Sequence, residues 1–182
     1  MNLRWILLTA CLFTGCSPAS PPETAGDQPE RAAPHFDRLP AILAGISGPT
    51  TLYEGLPSAF WEPQQREAEA TSKETVTLHG YRFYEEQPEL SPADADALRA
   101  LFADRQSYKP YHSQKNCSEF HADYCLEWQT AAGSTEAFVS LECAEVMLFT
   151  PQTDLHCDLT PDAAPKVKSL LGKYQENRPA PE

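Results

Sequence analysis

Between positions 117 and 157 the chain gathers side chains able to bind a metal, form a disulfide or move a proton. Cys117, Cys125, Cys143 and Cys157 stand there with His121, Asp123, Glu145 and His156. His121 and Asp123 are two residues apart, so on a strand they share a face, and the carboxylate would orient the imidazole as a general base. Glu145 would join them from a facing strand, opposite residue 120. The plainer alternative is a loop histidine bonded to a backbone carbonyl. A second chemistry is zinc. Cys117, His121 and Cys125 recur every four residues, and Cys143 or His156 would complete a tetrahedral shell. A third is covalent: in an oxidising compartment four cysteines in one segment predict two disulfides, each contributing about 3 kcal/mol. The alternation of Asp-Tyr-Cys-Leu-Glu-Trp draws Cys125 into a strand, and no C-x2-C pair is present, so disulfides are preferred to zinc. C-x-x-C-H, G-x-S-x-G, H-E-x-x-H, a phosphate-binding glycine loop and a kinase signature are all absent, and no cofactor is implied.

These residues need elements to position them. Residues 124–130 and 135–149 read as a β-hairpin around Ala132-Gly133, with paired numbers summing to 265. Tyr124 then faces Leu141, Leu126 faces Val139 and Trp128 faces Ala137, all on one apolar face. Earlier, residues 51–53 form a short strand, followed by an aromatic loop through Phe60 and Trp61. Residues 64–73 are a polar helix or loop, and 74–84 a strand bulged at Gly80. Residues 91–104 form a helix with Ser91 as cap, Pro92 in the first turn and Ala95, Leu98, Leu101 and Phe102 on one face. A second helix opens at Thr160-Pro161 and carries Val167, Leu170, Leu171 and Tyr174. The fold class is α+β: a single small domain with an antiparallel sheet of about four strands and two covering helices. The segment Tyr108-Lys109-Pro110-Tyr111-His112 reads as an aromatic loop, able to form a groove with Trp61 and Trp128 or to pack over the core edge. His79, His112 and His156 have no distinctive setting.

In that register Cys143 points to the core face and Cys125 to the other, so a bridge between them would have to cross the sheet. Two pairings remain: Cys117–Cys143 with Cys125–Cys157, or Cys117–Cys125 with Cys143–Cys157. The run KNCSEFHADYCLEW, with the later ECAEV and the earlier LYEGLP and LHGYRFY, resembles an uncharacterised family of exported bacterial proteins. Those carry a Cys, a Phe-His-x-Asp-Tyr run and a later Cys-x-Glu. The resemblance spans about residues 50 to 174 and brings no known activity. It implies that the family cysteines correspond to Cys117 and Cys143, and so favours the first pairing. The family's later segment often has Cys-x-x-Cys where this chain has Ser140, which weakens a metal reading.

The N-terminus has the parts of an export signal: Arg4, the apolar run Trp5 to Phe13, then Phe13-Thr14-Gly15-Cys16. Nine apolar residues suit a signal and fall short of the roughly 20 that a membrane span needs. The tetrapeptide resembles the lipobox of bacterial lipoproteins, with Phe13 where Leu is commonest. The resemblance implies that Cys16 is lipidated and residues 1–15 are removed. Residues 16–38 then form an acylated, Pro- and Ala-rich tether without core formers, and multiple acyl chains make anchoring permanent. Ser17 stands where many lipoproteins held at the inner membrane have Asp, so outer-membrane residence facing the periplasm is expected.

The domain is expected over 39–176, with 177–182 a disordered tail. Removing residues 1–15, with Arg4, takes the formal charge from −12 to −13. Such acidity argues against nucleic acid or anionic lipid as a direct partner and keeps an exported domain soluble. The membrane, through the acyl chains, is the partner expected; no protein or ligand is indicated. The functional expectation is a structural or binding module. The alternatives are a small periplasmic hydrolase or lyase using His121 and Asp123, and a zinc protein using Cys117, His121, Cys125 and Cys143.

Overall fold

Apolar alternation along residues 124–159 builds the middle of the molecule. In the computed structural model, residues 35–112, 117, 119–131 and 133–179 are described. They belong to the unit Ala32–Glu182, and the other unit, Met1–Arg31, lies outside them. The Cys16 expectation and most of the tether therefore also fall outside the described residues.

Eight strands form two antiparallel sheets: β1 (Thr50–Glu54), β2 (Thr75–Leu78), β3 (Tyr81–Tyr84), β4 (Tyr108–Pro110), β5 (Tyr124–Thr130), β6 (Gly133–Ser140), β7 (Glu145–Phe149) and β8 (Asp154–Leu159). The main sheet runs β1-β5-β6-β7-β8-β4, and β2-β3 is a separate hairpin. The helices are α1 (Leu39–Leu43), α2 (Pro63–Ser72), α3 (Pro92–Ala103) and α4 (Ala164–Leu171). The fold is α+β as expected, with more strands than the four anticipated. Two strands go beyond that expectation: the segment at 108–110, expected as an aromatic loop, is the edge strand β4, and β8 follows β7.

Side chains alternate across the sheet, so each face has its own core. One face carries Leu52, Leu126, Trp128, Val139, Val146, Leu148 and Cys157, packed with Leu39 and Ile42 of α1, Leu98 and Phe102 of α3 and Val167 and Leu171 of α4. The other carries Cys125 and Phe138, covered by Phe83, Val76, Leu78 and Tyr81 of the hairpin. Rings of Tyr81 and Phe83 meet Phe138 edge-on at 5.4 and 5.1 Å, an arrangement that suits the aromatic quadrupoles.

The β5–β6 register is offset from expectation by two. Tyr124 faces Val139, Leu126 faces Ala137 and Trp128 faces Thr135. Thr130 pairs with Gly133, leaving a two-residue turn, so the numbers sum to 263 rather than 265. A shift of two preserves the facing of every side chain. The expected bulge at Gly80 is instead a hairpin turn. His79 and Gly80 have φ values of 47° and 86°, the left-handed pair of a two-residue turn that matches strand twist.

Ser91 caps α3 as expected, its hydroxyl accepting from the Asp94 amide at 3.1 Å. Thr160 does not cap α4. Its hydroxyl donates to the Gln106 carbonyl, residues 161–163 form a turn, and Pro165 rather than Pro161 occupies the first helical turn. The domain also reaches beyond 39–176. Residues 36–38 form a 3-10 helix with Phe36 against the core, and Asn177 and Arg178 are bound into the structure rather than trailing as a tail. Among the described residues no helix is long and apolar enough to cross a membrane.

Candidate functional site

A cleft of about 470 Å³ opens where the chain entering β5, the β6–β7 turn, the loop after β1 and the C-terminal segment converge. Its lining includes Trp61, Glu62, Cys117, Glu119, His121, Asp123, Glu142, Cys143 and Arg178. Cys117 and Cys143 form a disulfide with Cα atoms 6.2 Å apart, within the ordinary span. It ties the segment before β5 to the turn at 141–144.

Asp123 is the knot of this region. Its Oδ2 accepts from the Leu141 amide at 2.8 Å, and its Oδ1 accepts from the Arg178 guanidinium at 2.9 Å. Its backbone amide donates to Val139 and its carbonyl accepts from Gly55, both at 2.8 Å. Gly55 is required here, because a Cβ at that position would stand 2.0 Å from the Ala122 carbonyl oxygen. Arg178 uses its remaining donors on the Gly55 and Leu56 carbonyls. The amides of Glu176, Asn177 and Arg178 all donate to the Glu54 carboxylate, at 3.0, 2.6 and 2.9 Å. Glu54 is fully buried, and these three donors offset the loss of water.

His121 and Asp123 are brought together, with the Asp123 carboxylate held by two other donors. His121 Nε2 lies 3.5 Å from Asp123 Oδ1, is sealed from solvent and makes no hydrogen bond. Burial holds the imidazole pKa below its ordinary 6.5, with Arg178 and Arg66 pushing the same way against the attraction of Asp123. The ring is therefore neutral at pH 7. A general base must reach its proton, and this nitrogen faces a carboxylate already engaged by two donors.

Glu145 does not join them. It stands opposite Ser140 and Asp158, not residue 120, and its carboxylate is 3.2 Å from His156 Nε2. His156, which had no distinctive setting in the sequence, stacks on Tyr111 with centroids 3.8 Å apart.

The second expected disulfide is not formed: Cys125 and Cys157 are free and buried. They lie on opposite faces of the sheet, with β6 and β7 between their strands. Three strand steps span about 14 Å, twice what a disulfide bridges. Burial, reinforced by Glu136 and Glu127, raises the Cys125 thiol well above its usual range. Burial and Asp158 push Cys157 up to about 12. Both thiols are protonated and inert. The zinc set Cys117, His121, Cys125 and Cys143 is likewise not assembled, because Cys125 belongs to the aromatic core. Among the described residues, Cys117, Cys143 and Glu145 are the group whose donor atoms lie within 4.8 Å of one another.

The aromatic groove is also not formed. Trp128 is fully buried and Tyr108 nearly so, with their polar atoms satisfied by Thr50 and the Phe102 carbonyl. Trp61 and Phe60 instead stand 67% and 58% exposed, edge to face at 4.6 Å, and Trp61 borders the cleft. Sequence reasoning missed Arg178 and Glu54. Glu54 lies within the LYEGLP run, but nothing there marks it as buried, and a lone arginine in a Pro-rich terminus gives no signal of its partner.

No family model, curated protein or solved structure matches this chain.

Proposed function

We propose that the protein is an exported, lipid-anchored binding module whose cleft receives a cationic group of its ligand or partner. The anchor rests on the Arg4, apolar-run and Phe13-Thr14-Gly15-Cys16 pattern, and outer-membrane residence on Ser17. The resemblance to exported proteins with the Phe-His-x-Asp-Tyr run agrees with that setting. The observation that carries the binding reading is how the cleft's charges are used. Asp123 and Arg178 neutralise each other, which leaves Glu62, Glu119 and Glu142 against Lys168 in the lining. Carboxylates beside an exposed indole suit an ammonium or guanidinium group, which gains both charge attraction and cation–π contact. The enclosed Nε2 of His121 and the engaged carboxylate of Asp123 argue against hydrolysis or lysis by that pair.

The test is titration of the full chain in detergent with a lysine-rich peptide, followed by calorimetry. Saturable binding that weakens with salt and with Glu119→Gln or Trp61→Ala is expected; preference for an acidic peptide overturns the reading. For the anchor, Cys16→Ala should abolish incorporation of labelled fatty acid and release the protein from membranes. Continued membrane retention with label overturns lipidation at Cys16.

A further inference from the structure

The disulfide in the cleft has a carboxylate beneath it that the cationic-ligand reading does not use. Cys117 and Cys143 both line the cleft, so a reductant can reach them. Glu145 does not line it and is only 3% exposed. Yet its carboxylate and the two sulfurs lie within 4.8 Å of one another. His156 Nε2 stands 3.2 Å from the same carboxylate. Two sulfurs, one buried carboxylate and a histidine that orients it are the donor types of a zinc site with three protein ligands and an open position.

We propose that reduction of Cys117–Cys143 converts this end of the sheet into a binding site for zinc or a similar thiophilic divalent cation, with Cys117, Cys143 and Glu145 as ligands. A dithiol supplies the electrons. Its two thiols become a disulfide, and their two electrons and two protons leave Cys117 and Cys143 as thiols. The incoming cation then displaces both thiol protons, so its affinity rises with pH. Glu145 enters as the carboxylate. Water takes the fourth position, and His156 orients the Glu145 carboxylate from outside the ligand set. The placement follows from the fold. Cys143 sits in the turn after β6, Glu145 opens β7, and Ala144 between them holds a left-handed φ of 52°. The inference does not depend on the cationic-ligand reading, because it concerns the reduced protein and needs none of Trp61, Glu62, Glu119 or Glu142.

The experiment uses the full chain in detergent, with zinc measured by competition against a chromophoric chelator, before and after reduction by a phosphine. One zinc per chain is expected after reduction, bound at least about 100-fold more tightly than before. Cobalt should give a thiolate-to-metal absorption band. Glu145→Gln should weaken binding by at least about tenfold, and His156→Gln by about tenfold, the usual effect of losing an orienting partner. The Cys125→Ala/Cys157→Ala double variant should bind as the parent does. Equal binding by oxidised and reduced protein, parental affinity in Glu145→Gln, or loss of binding in the double variant overturns the proposal. So does a reduced chain whose near-ultraviolet circular dichroism collapses before metal is added, since the site requires β7 in place. Failure of the peptide titration would leave these outcomes unchanged.

Discussion

On one side of the six-stranded sheet, three helices press aliphatic side chains and Trp128 into a continuous core. On the other, a two-stranded hairpin covers a smaller aromatic patch centred on Phe138. The helix side is built from many elements far apart in the chain. The hairpin side depends on one turn at 79–80 and a few ring contacts. Each face takes one free cysteine, Cys157 and Cys125 respectively, and the sheet between them keeps both from pairing. The contrast shows how a six-cysteine chain ends with one domain disulfide. Strand alternation, more than cysteine number, decides which sulfurs can meet.

The largest test of the contrast is Trp128→Ala. Loss of a fully buried ring on the helix side should cost about 3 to 5 kcal/mol, read as a fall in the denaturant midpoint. Phe83→Ala on the hairpin side should fall at the lower end of that range and leave helical circular dichroism intact. Equal loss of helix in both variants would mean that the two faces fold as one unit. Next is Cys117→Ser/Cys143→Ser. Opening a loop with a sequence separation of 26 should cost about 3 kcal/mol on the chain-entropy model, with the thermal midpoint lowered correspondingly. Gly80→Ala addresses the hairpin turn alone. A Cβ there would meet nothing within 4 Å, so the expected cost of about 1 kcal/mol comes from the left-handed backbone. A larger loss would show that the aromatic face depends on the turn.

The smallest effect concerns pH. His121 has a folded pKa below its ordinary 6.5 because of burial, with Arg178 and Arg66 assisting and Asp123 and Glu62 opposing. The unfolded chain then takes up the proton first, so this group's contribution to stability is intact above about 6.5 and falls as pH drops toward the folded value. His121→Gln should flatten that part of the stability–pH curve. An unchanged slope would show that the loss belongs to another group.

How much of this was legible beforehand follows from what each signal depends on. The facing of Tyr124, Leu126, Trp128, Ala137 and Val139 was readable, because alternation has a period of two and survives a register error of two. The register itself depended on the turn, and Ala132-Gly133 misled by one position. Gly80 advertised an irregularity but not its kind, because a histidine at positive φ beside it is uncommon. His121 and Asp123 were found as neighbours, since they are close in sequence. The partners that hold Asp123, Arg178 and the Leu141 amide, are hidden, because both are distant in sequence. Glu145 stands opposite Ser140 rather than residue 120, and its link to His156 depends on strand β8, outside the expected hairpin.

The clasp around Glu54 bears on the order in which the molecule can be completed. Its three amide donors arrive from positions 122 to 124 residues later in the chain. Until they dock, the Glu54 carboxylate lacks these donors and is satisfied by water instead. The β1 edge of the sheet therefore gains its last polar partners only when residues 176–178 dock. The clasp is completed by residues 176–178, and a product truncated before Glu176 would leave the Glu54 carboxylate without these three donors.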